Sequence, residues 1–391
     1  MSGTRVLVAG ASIAGPALAH WLHRRGAEVT VVERALELRP GGQAVDARGV
    51  TKEVIRRMGL DAAVRAARTE TAGAHTVDAD GNVLATYRAD DDGGDGFIAE
   101  IEILRGDLSR VLYDDTRDDV EYVFGDRIAE LSQDANGVDV VFASGDRRRF
   151  DLVIGADGLH SALRTMVFGP RERFIRHLGL VLAFYSVPNE FGLDSWLIDY
   201  QDSGRSAALR PIQDATRAMA IFSFPSEDFD VDYRDVAAQK RLLRERMAGL
   251  GWLTPRILAH LDDTPDFYLD QVAQVVMDRW SNGRVGLLGD AAFSSSPMSG
   301  QGTGLALIGA YLLAGELAAA EWDPEVAFAA YERRMRPFVE ANQEIGRLHA
   351  RSLTLPAPEG DVEWDRELIE RALNGIELPD YAGVPDSGVA A

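Results

Sequence analysis

The feature that most constrains the fold is a glycine-rich turn between a short apolar segment and an amphipathic one. Residues 5–9 are mostly apolar, as in a strand that is buried on both faces, and residues 28–33 form a second such segment. Between them, Pro16 suits the first turn of a helix and Gly26 suits its end. The pattern predicts a β-strand, an α-helix and a second β-strand, the unit that binds dinucleotides.

The residues of this turn define a candidate phosphate site. They are Gly10, Ala11, Ser12, Ile13, Ala14 and Gly15. Gly10 allows the tight turn, Gly15 allows close packing of helix on strand, and the helix N-terminus presents N–H groups to a pyrophosphate. Ser12 replaces the middle glycine of the usual motif and is small enough for a phosphate to approach. Glu33 and Arg34 end the second strand, where a carboxylate can bind a ribose hydroxyl. A plain α/β turn is the alternative, and the turn alone does not distinguish NAD from FAD.

Two further turns follow apolar segments later in the chain. Asp157 and Gly158 follow residues 151–156, after a predicted antiparallel meander. Alone, such an Asp-Gly pair is more often an ordinary turn. Gly289 and Asp290 follow residues 283–288 and precede a loop that opens a long helix. That loop contains Pro297, Gly300, Gln301 and Gly302.

Composition narrows the range of partners. The 391 residues include 41 basic and 62 acidic side chains, a net charge of −21, so we expect no nucleic acid and no membrane as partner. The absence of cysteine excludes disulfides, a cysteine nucleophile and thiolate metal ligands, and we predict no metal site. Redox chemistry would therefore need a bound organic cofactor.

Together the three turns resemble those of the class A flavoprotein aromatic monooxygenases, the para-hydroxybenzoate hydroxylase-like family, and its short tetracycline-modifying branch in particular. The resemblance spans roughly residues 5–350. It implies an α/β fold in which a Rossmann-like FAD-binding domain of the glutathione-reductase type carries an inserted antiparallel-sheet substrate domain and a C-terminal helix. The implied boundaries are 1–72, 97–170 and 273–345 for the FAD-binding domain, 73–96 and 171–272 for the substrate domain, and 346–391 for a helical segment and tail.

The resemblance also implies a reaction and roles for single residues. FAD would be the retained cofactor, NADPH or NADH a transient co-substrate, and O2 the oxidant for an aromatic or polycyclic substrate. Asp290 would hold the ribityl chain, Gly300 to Gly302 the flavin edge, Glu33 the adenosine ribose and Arg105 the phosphate region. Asp157 would serve both FAD and the nicotinamide, and Gln43 and Arg48 would lie beside the flavin or the substrate. Catalytic side chains are unknown, because the flavin carries the chemistry.

The substrate domain offers only general candidates. Phe184, Trp196, Arg210 and Phe222 are expected to face a substrate, although packing or solvation explains such residues equally well. Two positions depart from the family pattern: Phe293 stands where histidine is frequent and Gly304 where asparagine is frequent.

Three alternatives stay open from the sequence. A flavin-dependent halogenase shares this fold, but the W-x-W-x-I-P motif of halogenases is absent from the sequence. An FAD-linked reductase of unsaturated lipids and a non-catalytic flavin-binding module are the others. We expect a cytoplasmic protein, either monomer or homodimer.

Overall fold

The computed structural model describes residues 3–39, 41–96, 98–226, 235–264, 266–354 and 365–381. Residues 355–364 and 382–391 of the predicted C-terminal segment and tail lie outside this part of the chain. The described residues form a mixed α/β structure with two main sheets, as the sequence motifs predict.

The strands draw on interleaved segments of the chain. They are β1 (Arg5–Ala9), β2 (Glu28–Glu33), β3 (Ala44–Asp46), β4 (Gly73–Val77), β5 (Val83–Arg88), β6 (Glu102–Leu104), β7 (Glu121–Phe124), β8 (Ile128–Asp134), β9 (Gly137–Phe142), β10 (Arg147–Phe150), β11 (Leu152–Gly155), β12 (Ile175–Pro188), β13 (Trp196–Asp202), β14 (Arg205–Pro211), β15 (Arg217–Pro225), β16 (Tyr268–Val275), β17 (Ser281–Asn282) and β18 (Val285–Leu287).

The helices lie mainly between strands and at the C-terminal end. They are α1 (Ala14–Arg24), α2 (Val50–Met58), α3 (Asp61–Ala66), α4 (Arg105–Thr116), α5 (Ala162–Phe168), α6 (Val236–Met247), α7 (Thr254–Ala259), α8 (Asp290–Phe293), α9 (Gly302–Ala319), α10 (Pro324–Thr354) and α11 (Arg366–Asn374). Short 3-10 turns occur at Asp91–Gly94, Arg171–Arg173 and Pro297–Ser299.

The first main sheet is the nucleotide sheet. Its strand order is β17-β18-β11-β1-β2-β7, and β1 pairs in parallel with both β2 and β11. Val6, Leu7 and Val8 are fully buried, because helix α1 and the antiparallel strands β9 and β10 both pack against the sheet. The glycine-rich turns follow the carboxyl ends of β1, β11 and β18, where ligands bind in open α/β sheets.

Helix α9 packs against α1, α2 and α10 behind the nucleotide sheet. By length and composition it is apolar enough to cross a membrane, but 83% of it is buried inside the fold. A helix that is apolar all round is explained by burial among other elements.

The second main sheet has seven strands in the order β16-β12-β15-β14-β13-β4-β5. One face, which we call the outer face, packs on α6 and α7 through Leu243, Met247 and Ile257. The opposite inner face meets the nucleotide domain: Leu182 packs with Met298, and Leu197 packs with Ile98. Any cleft between the two sheets is therefore lined by the inner face.

The C-terminal part differs from the sequence prediction in one respect. Helix α10 runs without interruption from Pro324 to Thr354 and contains Pro337, so the predicted boundary at residue 345 falls inside one helix. Residues 375–381 then return to the nucleotide domain, where the Tyr381 hydroxyl donates to Glu316 at 2.7 Å and Arg25 donates to the Tyr381 carbonyl at 3.0 Å.

Candidate active site

The first glycine-rich turn has the geometry that its sequence predicts. Gly10 has a φ of 110°, a conformation that side chains disfavour, and its N–H donates to the Val32 carbonyl at 2.8 Å. If Gly15 were replaced by a residue with a side chain, the added Cβ atom would overlap the Gly10 carbonyl oxygen. Helix α1 therefore starts directly above the end of β1, and no side chain caps its N-terminus. Its first N–H groups are available to an anion.

Glu33 is fixed at the end of β2 by backbone donors. Its Oε2 accepts from Ala11 N at 3.0 Å and its Oε1 accepts from Ala35 N at 2.9 Å. The carboxylate is thus tied to the glycine-rich turn itself, and each oxygen keeps a further lone pair for a ribose hydroxyl. Arg34 is exposed next to it.

Arg105 joins this turn from the start of α4. Its Nε donates to the Ser12 hydroxyl at 3.2 Å, and Ser109 lies 3.4 Å from the same hydroxyl. Ser12, which replaces the usual middle glycine, therefore holds the Arg105 guanidinium beside the candidate phosphate site. A guanidinium is well suited to a phosphate oxygen.

The three glycine-rich turns converge. A Cβ on Gly10 would overlap the Ala156 carbonyl, which joins the first turn to the second. A Cβ on Gly289 would lie 3.2 Å from the Ala14 Cβ, which joins the first to the third. Arg164, fully buried, donates to the Ala291 carbonyl at 2.9 Å and links the second to the third.

Asp157 of the second turn caps helix α5. Its Oδ1 accepts from the Ser161 hydroxyl at 2.5 Å, and its Oδ2 accepts from Ala162 N at 2.8 Å. Burial raises the pKa of its carboxyl, although these hydrogen bonds oppose that effect. Asp157 therefore orders the turn, and Gly158 continues it with a φ of 81°.

Asp290 of the third turn is open to the cleft. Its side chain is exposed, and desolvation by the surrounding protein raises the pKa of its carboxyl while the charge of Arg105 lowers it. A Cβ on Gly302 would meet only the Asp290 Oδ1, at 4.0 Å. Within the described residues, the first turn of α9 thus adjoins an accessible carboxylate across open space at Gly302, which suits a polyhydroxyl chain and a flat ring.

The segment from Gly41 to Gly49 approaches the same space from another side. The backbone carbonyl of Gln43 accepts a hydrogen bond from the Arg105 N–H at 3.0 Å. Arg48 forms an ion pair with Asp46 at 2.9 Å. A Cβ on Gly300 would lie 2.9 Å from an Nη1 of Arg48. Gln43 and Arg48 are therefore brought to the cleft: Gln43 contacts the Arg105 backbone, and Arg48 contacts the loop that opens α9.

The loop from Ser294 to Gln301 is anchored by side chains that the sequence did not single out. Gln274 donates to the Ser295 carbonyl at 3.0 Å, Gln343 donates to the Ser294 carbonyl at 3.3 Å, and His349 Nδ1 donates to the Met298 carbonyl at 2.9 Å. Pro297 is exposed in the cleft. Two glutamines and a histidine carry no motif signal, because their partners lie far along the chain.

Both departures from the family pattern have a structural reason. Phe293 is buried against Trp280, with ring centroids 4.7 Å apart. A Cβ on Gly304 would lie 2.5 Å from the Thr51 hydroxyl, so α2 leaves no room for a side chain at that position. Each residue therefore serves packing in this chain.

The substrate candidates divide between the two faces of the seven-stranded sheet. Phe184 and Arg210 lie on the inner face. Phe184 neighbours Tyr268 at 6.1 Å between ring centroids, and Arg210 Nη1 donates to Glu102 Oε2 at 2.6 Å. Glu102 is buried, also accepts from Thr69 and Thr71, and was missed because one glutamate in a short strand carries no pattern.

Phe222 and Trp196 require a correction. Phe222 is fully buried on the outer face, stacked on Tyr185 at 5.8 Å. Trp196 stacks on His75 at 4.2 Å and has the same alternation as Tyr200, which packs in the outer cluster. Because strand neighbours alternate between faces, both side chains point away from the cleft.

A linked group of polar side chains lines the inner face near the second turn. The Tyr268 hydroxyl donates to Asp270 Oδ2 at 3.1 Å, and His160 Nε2 lies 2.8 Å from the same oxygen. Burial and the Asp270 charge raise the pKa of the Tyr268 phenol. This group ties the Asp157 turn to β16 of the substrate sheet.

These contacts fit an FAD molecule: an uncapped helix N-terminus beside an arginine, a fixed carboxylate at the end of β2, and an accessible carboxylate beside the glycines that open α9. Comparison with protein families agrees, since the model described as "FAD binding domain" matches residues 3–345. The chain belongs to this family of FAD-dependent monooxygenases. It is thus an enzyme that uses FAD, and the family match disfavours the halogenase, reductase and non-catalytic alternatives.

Individual relatives match over nearly the whole chain. A flavin-dependent monooxygenase from an unknown prokaryotic organism is 39% identical over 386 residues, covering 96% of this chain and 99% of the relative. The crystal structure of the tetracycline destructase Tet(55) is 38% identical, with a TM-score of 0.87 and coverage of 97% and 99%. Klebsiella pneumoniae HpxO, crystallised with FAD and uric acid, is 25% identical, with a TM-score of 0.74 and coverage of 95% and 92%.

Proposed function

We propose that this monooxygenase transfers one oxygen atom from O2 to an aromatic or fused polycyclic small molecule, with NADPH or NADH as the reductant. The observation that carries the proposal is the convergence of three glycine-rich turns beneath the inner face of the seven-stranded sheet. The match to a tetracycline destructase along almost the entire chain supports a fused-ring substrate. We also propose that the enzyme acts in the cytoplasm, as a monomer or homodimer.

The residues would hold FAD as follows. The N-terminus of α1, from Gly10 to Gly15, and Arg105 would bind the pyrophosphate, and Glu33 would bind the adenosine ribose. Asp290 would accept from the ribityl hydroxyls. The N-terminus of α9, from Gly300 to Gly302, would hold the flavin ring with its positive end.

When bound, FAD supplies hydride acceptance and oxygen activation. The chain's own residues orient it and exclude water. Gln274, Gln343 and His349 fix the loop beneath the exposed Pro297, and the inner face closes the cleft from the other side. Phe184 would contact a flat substrate there, while Arg210, held by Glu102, would present the rest of its guanidinium to polar substituents.

The test is turnover by the flavin-loaded enzyme. NADH and NADPH oxidation is followed with single-ring phenols and with fused-ring aromatics, and products are analysed by mass spectrometry. The proposal predicts that a fused-ring compound accelerates oxidation and gains the mass of one oxygen atom. Oxidation that no compound accelerates, with no oxygenated product, would contradict it.

A further inference from the structure

One carboxylate on the inner face has no part in the contacts described above. Asp199 of β13 lies opposite Ala208 of β14, which lies opposite Ile221 of β15, which in turn lies opposite Phe184 of β12. These four residues form one row across the inner face. With neighbouring strands about 4.8 Å apart, the row places Asp199 roughly 14 Å from Phe184 along the candidate substrate surface.

The hydrogen bonding of Asp199 is incomplete. Its Oδ2 accepts from Gln201 Nε2 at 2.6 Å. Within the described residues, Oδ1 has no hydrogen-bond partner and no cation pairs with the carboxylate. Glu102, the buried carboxylate of the neighbouring β6, is in contrast bound by Arg210, Thr69 and Thr71.

The open oxygen of Asp199 lies in partly desolvated surroundings. Asp199 is half-buried, and desolvation raises the pKa of its carboxyl against the opposing hydrogen bond from Gln201. A buried carboxylate is ordinarily paired or fully hydrogen-bonded. An open acceptor oxygen on a surface that otherwise binds substrate is the feature of a binding residue.

Space for a ligand lies beside Gln201, the hydrogen-bond partner of Asp199. A cavity of about 470 Å³ has Gln201, Ser206 and Ser223 on one side and Ser352, Leu353 and Thr354 from the end of α10 on the other. Ser206 and Ser223 lie in the next row of the inner face, 2.8 Å apart through their hydroxyl oxygens. Ala208, a small residue, lies in the row between these two serines and the rest of the inner face.

We propose that Asp199 accepts a hydrogen bond from a hydroxyl group of the aromatic substrate and so selects hydroxylated rings. This inference rests on the proposed function. A hydroxyl that donates to a carboxylate gains electron density, which it passes to its ring, and an electron-rich ring is the better acceptor of an electrophilic oxygen. Gln201 holds the carboxylate in place, and the hydroxyls of Ser206 and Ser223 accommodate further polar substituents.

The test compares Asp199→Ala with Asp263→Ala, the same change at an exposed residue of the same domain, which has no partner in the described structure. The probes are naphthol, hydroxyanthraquinone and the methyl ether of each. Dissociation constants come from quenching of the bound flavin's fluorescence, and kcat and KM from oxygenated product.

We expect wild type and Asp263→Ala to bind the hydroxyl compound about tenfold or more tightly than its ether, as expected for a hydrogen bond to a charged group. Asp199→Ala loses this preference and leaves the ether's affinity unchanged. The proposal is overturned if Asp199→Ala binds both compounds more weakly by the same factor, or if it keeps the preference for the hydroxyl compound. It is also overturned if wild type shows no such preference. Because binding is measured apart from turnover, binding without oxygenation counts against the proposed function and not against Asp199.

Discussion

Arg210 and Glu102 join the two domains through a hydrogen-bonded ion pair of 2.6 Å between Nη1 and Oε2. Glu102 is 3% exposed, and the pair connects strand β14 of the substrate sheet with strand β6 beside α4. The contact therefore fixes the distance between the inner face and the turn that carries Arg105.

Replacing Glu102 by glutamine should destabilise the protein by about 3 kcal/mol, because it leaves a buried guanidinium without its counter-charge. Chemical denaturation measures the change. Glu100→Gln is the control, since the Glu100 pair with Arg65 at 2.8 Å is exposed and should contribute less than about 1 kcal/mol. Equal effects of the two variants would show that the Glu102 pair has no special role.

Gly302→Ala should reduce FAD affinity about tenfold or more, or ~1.4 kcal/mol, without changing the fold. Among the described residues beyond its own helix, the atom nearest to the added methyl group is Asp290 Oδ1 at 4.0 Å, so the methyl group enters the space assigned to the flavin. Isothermal titration of the flavin-free protein measures the affinity. Gly304→Ala is the contrasting variant, because its methyl group meets Thr51 and should lower thermal stability. Unchanged affinity in Gly302→Ala would place the flavin elsewhere.

Acidification should loosen the loop that precedes α9. Burial lowers the pKa of His349, and the hydrogen bond to Met298 only partly opposes this. Its folded pKa is thus below its unfolded pKa, so the unfolded chain binds the extra proton first. The contribution of neutral His349 to the free energy of unfolding is therefore complete above the ordinary histidine pKa. It is lost as the pH falls from that value to the lower pKa of the folded state.

His349→Gln should therefore flatten this part of the stability profile, measured by denaturation at neutral and mildly acidic pH. His75→Gln, on the outer face of the substrate sheet, serves as the control. An identical pH dependence in wild type and His349→Gln would exclude the loop anchor as its source.

Phe293→His should cost about 2 kcal/mol or more, because the imidazole would be buried against Trp280 with unsatisfied nitrogen atoms. Phe293→Leu keeps an apolar side chain and should cost less than about 1.5 kcal/mol. Thermal unfolding distinguishes the two. If histidine is tolerated as well as leucine, the packing role of Phe293 is wrong.

The cofactor region was predictable from the sequence because its signals are local. Gly10, Asp157 and Asp290 each come within three residues of the end of an apolar strand, and parallel strands bring their carboxyl ends to one edge of a sheet. The substrate surface was not predictable in the same way. Alternation identifies a strand but not which of its two faces meets the other domain, so the sequence did not show that Phe222 and Trp196 point away from the cleft.

Long-range contacts account for the remaining differences. Glu102 meets Arg210, and His349 meets Met298, only through tertiary packing. Pro337 lies inside α10, where a proline ordinarily interrupts a helix, and packing of α10 against α9 and α11 compensates for the missing donor.

The most direct test of the account is the fate of oxygen atoms. The FAD-loaded enzyme is supplied with reduced nicotinamide, a fused-ring phenol and isotopically heavy O2, and the product is analysed by mass spectrometry. The account predicts a product that contains one heavy oxygen atom from O2. Consumption of O2 with formation of hydrogen peroxide alone, across the whole panel of phenols, would contradict it.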